Sequence, residues 1–152
     1  MEKVDFLPRF LAALIDGAIA WVPVFIPIIG GIISVLYLLC KDGVMYQITR
    51  DDNWKNTSIG KKALKLEVVH LEGEDVDLKI SAKRNIPLTI GSFIAIIPVL
   101  GWLIGPIVAV IAAMVELIMY VTDKDGRRLG DRWANTMVVA VPEVETSKEI
   151  GS

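Results

Sequence analysis

A chain of 152 residues with a net charge of −2 has room for one domain and no basic excess with which to hold nucleic acid. It is 53% hydrophobic with a mean hydropathy of +0.53, more apolar than a soluble domain of this size needs to fill its core. Its single cysteine, Cys40, excludes an intrachain disulfide and a cysteine metal cluster.

The charges are unevenly placed. Between Arg9 and Lys41 lie 31 residues with one charged side chain, Asp16, and between Arg84 and Asp123 lie 38 with one, Glu116. A helix needs about 20 apolar residues to cross a bilayer, so each stretch is too long for one crossing and suits two. The pattern predicts an all-α membrane protein with four transmembrane helices as two hairpins, together with a small cytoplasmic β-hairpin or sheet. Residues 1–142 form a single membrane domain in this reading, and 143–152 are a flexible, polar tail.

In chain order, the first span covers about 8–26. Pro8 suits its first turn, where the missing N–H costs nothing. Asp16 interrupts the apolar core that a cleavable signal peptide would need. Pro27-Ile28-Ile29-Gly30 marks the reversal into a second span, 31–46. The segment 47–83 is cytoplasmic. Within it Lys65–Leu71 and Val76–Ile80 alternate on either side of Glu72–Asp75, which is a β-hairpin pattern, and Met137–Val141 is a candidate third strand. The third span covers about 84–97, with a start open between Ser81 and Pro87. Pro98-Val99-Leu100-Gly101 turns the chain into the fourth span, 102–122, and Arg127–Trp133 suits a short interfacial helix.

The two reversals look alike, and each hairpin opens near an arginine, Arg9 and Arg84. This is either a parallel internal repeat or the ordinary Pro and Gly chemistry of tight turns. All sixteen Lys and Arg fall in the N-terminal segment, the 41–84 connection and the C-terminal segment. The positive-inside rule therefore puts both termini in the cytoplasm, with Trp21 and Trp102 at the outer interface and Tyr46 and Tyr120 at the inner one.

An ionisable side chain inside a span is costly and marks a candidate site. Asp16 and Glu116 lie about two turns in from the cytoplasmic ends of their helices. Ala12, Asp16 and Ala20 recur at four-residue spacing, as do Gly101, Gly105, Ala109 and Ala113, and such small-residue faces let helices approach closely. Two carboxylates brought together there would share a proton or hold a cation. Arg9 shares a helix face with Asp16, and the plainer reading is a satisfied ion-pair network of Arg9, Asp16 and Asp131 that orients the helices. Ser58-Ile59-Gly60-Lys61-Lys62 is close to the end of a phosphate-binding loop but has Lys55 and Lys62 where the loop needs Gly and Ser or Thr. Lys61, Lys62 and Lys65 read as a solvated face toward anionic headgroups, and His70 as a surface strand histidine. No nucleophile–base pair is visible, so the chain is read as neither an enzyme nor a cofactor protein.

The chain resembles the RDD family of small bacterial membrane proteins. The resemblance rests on Arg9 and Asp16 in Pro8-Arg9-Phe10-Leu11-Ala12-Ala13-Leu14-Ile15-Asp16. It also rests on Asp131 in Gly126-Arg127-Arg128-Leu129-Gly130-Asp131-Arg132-Trp133, and on Thr57-Ser58-Ile59-Gly60-Lys61, which is like the family's T-x-G-K segment with one residue more. Lys83-Arg84-Asn85 matches the basic entry into the next span. The resemblance implies a multi-pass protein of the bacterial cytoplasmic (inner) membrane with a proposed transport role, including sodium/proton antiport. Together these observations predict transport or binding of a monovalent cation or proton, with Asp16 and Glu116 as the ion- or proton-binding carboxylates. Arg9 and Asp131 would be a gating or structural ion pair. The bilayer is the first partner, and a second copy of the chain is the next, because four helices make a thin pathway. The alternative is a non-transporting scaffold in which the Arg/Asp/Asp residues are structural.

Overall fold

The computed structural model describes residues 4–26, 29–97 and 99–141. Pro27, Ile28, Pro98 and the 143–152 tail lie outside them. Four long helices carry the fold: α1 (Phe6–Trp21), α2 (Ile29–Thr49), α4 (Leu78–Ala95) and α5 (Leu100–Thr122). Two five-residue helices, α3 (Ile59–Ala63) and α6 (Leu129–Trp133), each lead into a five-residue strand, β1 (Leu66–His70) and β2 (Thr136–Ala140).

Three helical stretches are long and apolar enough to cross a membrane: Phe6–Phe25, Ile29–Thr49 and Leu100–Thr122. The first is α1 continued by a 3-10 turn, Val22–Phe25. α4 carries Lys79, Lys83 and Arg84 in its first two turns, which shortens its apolar part. Large apolar side chains stand exposed along these helices, among them Phe25, Trp21, Trp102, Leu103 and Val121. An apolar surface of that extent is unfavourable in water and is what a lipid-facing surface requires. The chain is a membrane protein on these grounds.

The strands pair antiparallel in a two-stranded sheet, with Val68 opposite Val138 at its centre and both fully buried. The sheet is not a hairpin of neighbouring segments. Val76–Ile80 is no strand, since the chain enters α4 at Leu78. Asp77 decides this: its side chain accepts the Ile80 amide at 2.7 Å and caps the helix, so the alternation of Val76, Leu78 and Ile80 belongs to a helix start.

The two halves of the chain repeat one plan. Each has two long helices, a short helix, two linking residues and a strand, and the second linking residue is left-handed in both, Lys65 at φ 52° and Asn135 at φ 53°. α3 packs on α1 as α6 packs on α4. A Cβ on Gly60 would lie 2.1 Å from the Ala12 carbonyl oxygen, and one on Gly130 would lie 1.9 Å from that of Arg84. The two strands, one from each half, then pair with each other. The small-residue face of α5 serves a different contact from the one its spacing suggested. Gly101 and Gly105 press against Ile94 and Ala95 of α4, so this face closes the α4–α5 pair rather than drawing α5 toward α1.

Candidate functional site

Where the short helices meet the long ones, ionisable side chains are buried together. Asp16 is fully buried on α1. Its Oδ2 accepts the Ser58 hydroxyl at 2.6 Å and lies 3.0 Å from Lys41 Nζ, while its Oδ1 accepts the Gly60 amide at 2.7 Å. Ser58 caps α3, so one carboxylate fastens the start of the short helix to the middle of α1. Asp42, also fully buried, pairs with Lys61 of α3, takes the Asn85 side-chain amide at 3.1 Å and lies 3.5 Å from Arg84 Nε.

Asp131 on α6 is the hub of the second half. It receives Arg9 Nη2 at 2.6 Å, Arg84 Nη2 at 2.7 Å and Arg128 Nη2 at 3.3 Å. Arg9 also donates to the Gly126 carbonyl at 2.6 Å. Burial alone would push the Asp131 carboxyl up, but Arg128, Arg84 and Arg9 outweigh it and hold it well below the usual aspartate range. Burial works against the Arg128 charge, and Asp131 and Glu116 more than restore it. Lys61 goes the other way: burial pulls its ammonium down to about 8 despite Asp42 beside it.

Glu116 sits on α5 with 3% of its surface exposed. Its Oε1 accepts the Gly130 amide at 3.2 Å, and its Oε2 is buried with no hydrogen-bond partner among the described residues. Gly130 thus holds Glu116 as Gly60 holds Asp16. No hydrogen bond or ion pair joins Asp16 to Glu116 among the described residues; each carboxylate is held by the short helix of its own half.

A cavity of about 330 Å³ lies beside this network. Arg9, Lys41, Lys61, Arg128 and Glu116 line its polar side, and Phe6, Phe10, Leu88 and Leu117 are among its apolar walls. Tyr120 bridges below it, with its hydroxyl donating to the Val4 carbonyl at 2.7 Å and its ring 5.8 Å from that of Phe6.

Sequence reasoning singled out Arg9, Asp16, Glu116 and Asp131 and passed over Asp42, Arg84, Arg128, Ser58 and Lys41. A signal was present, since Lys41-Asp42 is a charged pair within an otherwise apolar helix. Two residues read as surface groups are not exposed. Lys61 is 7% exposed and bound to Asp42, and His70 is 8% exposed, with its Nδ1 accepting the Glu72 amide at 3.4 Å. Lys62 does face outward, donating to the Asn53 carbonyl and lying over the Trp54 ring. No group of three or more His, Cys, Asp or Glu able to hold a metal ion occurs among the described residues.

No curated protein and no solved structure matches the chain. A family model, the RDD family, matches residues 32–135, a segment that holds Arg84, Asp131 and both short helices and begins after Arg9 and Asp16. That match covers more than half of the chain, and the chain belongs to the RDD family.

Proposed function

We propose that the protein is a four-span transporter of the cytoplasmic membrane, with both termini inside, in which Glu116 takes up and releases a proton. α4 is the fourth span in this reading, with Lys79 and Lys83 at the cytoplasmic surface and Ile86 to Ala95 in the bilayer. The observation that carries the assignment is the buried Glu116 Oε2, which has no hydrogen-bond partner among the described residues, on a side chain that lines the cavity. A buried carboxylate oxygen left unpaired is costly as an anion and is relieved by a proton or a cation. The other charged walls are Arg9, Lys41, Lys61 and Arg128, which repel a metal cation, whereas a proton bonded to the carboxylate needs no further ligands. Asp16 is unsuited to exchange, because a hydroxyl, an amide and an ammonium already occupy it. Arg9 and Asp131 are structural in this reading rather than a gate. A second copy of the chain is the assembly partner in the membrane.

The test is proton flux into liposomes holding purified protein, driven by a sodium or potassium gradient. Wild type should carry flux, Glu116→Gln should lose it while keeping its helical content, and Asp16→Asn should lose thermal stability. The saturation of Asp16 and Asp131 favours a second reading, a membrane scaffold without transport. Well-folded wild type that moves no protons with either cation would establish that reading instead.

A further inference from the structure

Among the described residues the network is not neutral. Arg9, Lys41, Lys61, Arg84 and Arg128 supply five cations, and Asp16, Asp42, Glu116 and Asp131 supply four carboxylates, so one positive charge is left over among them even with Glu116 ionised. The shortage is greatest around Asp131, which answers Arg9 and Arg128 and shares Arg84 with Asp42, and two nitrogens of Arg84 have no hydrogen-bond partner among the described residues. Buried charge without a counter-charge is strongly unfavourable, so the network calls for an anion.

The cavity is placed and shaped to admit one. Four of the five cations line it. Its apolar rim includes Phe6, Phe10 and Leu117, each more than two-fifths exposed, so the rim meets the hydrocarbon while the floor is cationic. The Tyr120–Val4 hydrogen bond crosses beneath it on the cytoplasmic side. Depth agrees. Arg9 lies about 5 Å along α1 from Phe6, and Glu116 about 9 Å along α5 from Thr122, at 1.5 Å per residue. That is the level where headgroups give way to acyl chains. Its 330 Å³ falls within the usual range of ligand pockets, about 300–1,000 Å³.

We propose that this cavity binds an acidic membrane phospholipid, with the headgroup phosphate among Arg9, Lys41, Lys61 and Arg128 and an acyl chain along Phe10 and Leu117. A small free anion would satisfy the charge but leave the apolar walls uncovered, and a zwitterionic lipid would bring its own cation into a site already rich in them. Binding of this kind needs no ion gradient, so it stands or falls independently of proton flux.

The experiment measures lipid binding to the purified chain in neutral detergent, by native mass spectrometry and by thermal shift. The probes are phosphatidylglycerol, phosphatidylcholine and inorganic phosphate. Phosphatidylglycerol should bind about 25-fold more tightly than phosphatidylcholine, the margin of two near-surface cations, and phosphate alone should give no shift. Arg128→Gln should weaken phosphatidylglycerol about fivefold, the weight of one such cation. Ala113→Trp, which fills the cavity from α5, should abolish the preference with helical content unchanged, and Ala13→Phe serves the same purpose from α1 if that variant does not fold. Lys79→Gln with Lys83→Gln removes exposed cations outside the cavity and should change nothing. Equal binding of the two lipids, a full shift with phosphate alone, or a preference that survives cavity filling would each overturn the assignment.

Discussion

Asp131 shows how much one side chain holds here. Removing its charge while keeping its shape, as in Asp131→Asn, takes away the carboxylate that Arg9, Arg84 and Arg128 share and leaves Arg84 only Asp42, at 3.5 Å. Breaking one partner out of a buried ion pair typically costs about 3–5 kcal/mol, and the variant is expected to fall in that range by thermal or denaturant unfolding in detergent. Acid should act on the same contact. The carboxyl titrates well below its ordinary value in the folded chain, so the stability it contributes is complete above about pH 4 and is lost as the pH falls further. The gap between wild type and Asp131→Asn should therefore hold from about pH 6 to about pH 5 and narrow between about pH 4 and about pH 3; a gap unchanged down to about pH 3 would mean the arginines do not depend on this charge. Arg9 and Asp131 lie 122 residues apart and meet at 2.6 Å. The sequence suggested that pairing through the position of Arg9 at the start of an apolar helix and the family resemblance around Asp131. It did not reveal Arg84 and Arg128 as further partners, because both sit beside other basic residues and look like ordinary interfacial charges.

At the scale of elements, the short helices are wedges. Gly60 and Gly130 have no room for a methyl group, since its carbon would fall within about 2 Å of a backbone carbonyl oxygen on α1 or α4. Neither α1 nor α4 can yield there without shifting its own hydrogen bonds. Gly60→Ala and Gly130→Ala should each cost about 1–3 kcal/mol, the usual range for overpacking, and should also loosen Asp16 or Glu116 from its amide donor. Gly17 on α1 is the control: nothing lies within 4 Å of its added carbon, so Gly17→Ala should be neutral or stabilising by up to about 1 kcal/mol. The long apolar helices were legible from charge spacing alone, because 31 and 38 residues with one charge each admit few alternatives. The sheet was legible only in part. Alternation marked β1 and β2 correctly, but it also marked Val76–Ile80, where the Asp77 cap turns the same pattern into the start of α4. Pairing of strands so distant in sequence leaves no local trace, so a reader of the chain looks first for a hairpin. The small-residue face of α5 was visible too, yet spacing cannot say which neighbour it meets.

The whole molecule is two copies of one plan joined at a strand pair and at the α2–α4 contact. In the orientation proposed above, both short helices and both strands would lie on the cytoplasmic side of the bilayer. With Cys40 changed to Ser, a single cysteine at Glu74 should resist a membrane-impermeant thiol reagent added to intact cells, and one at Phe25 should react. The reverse pattern would invert the orientation drawn from the positive charges.

The division of partners between the halves also sets an order of assembly during synthesis. Asp16 with Lys41, Ser58 and Gly60, and Asp42 with Lys61, are made entirely from the first 61 residues, so the first half can close its own contacts as it leaves the ribosome. Arg84 also finds Asp42, 3.5 Å away and made before it. Arg9 has no such local answer, because its carboxylate, Asp131, is translated 122 residues later. A ribosome that stalls between the two leaves Arg9 without its counter-charge.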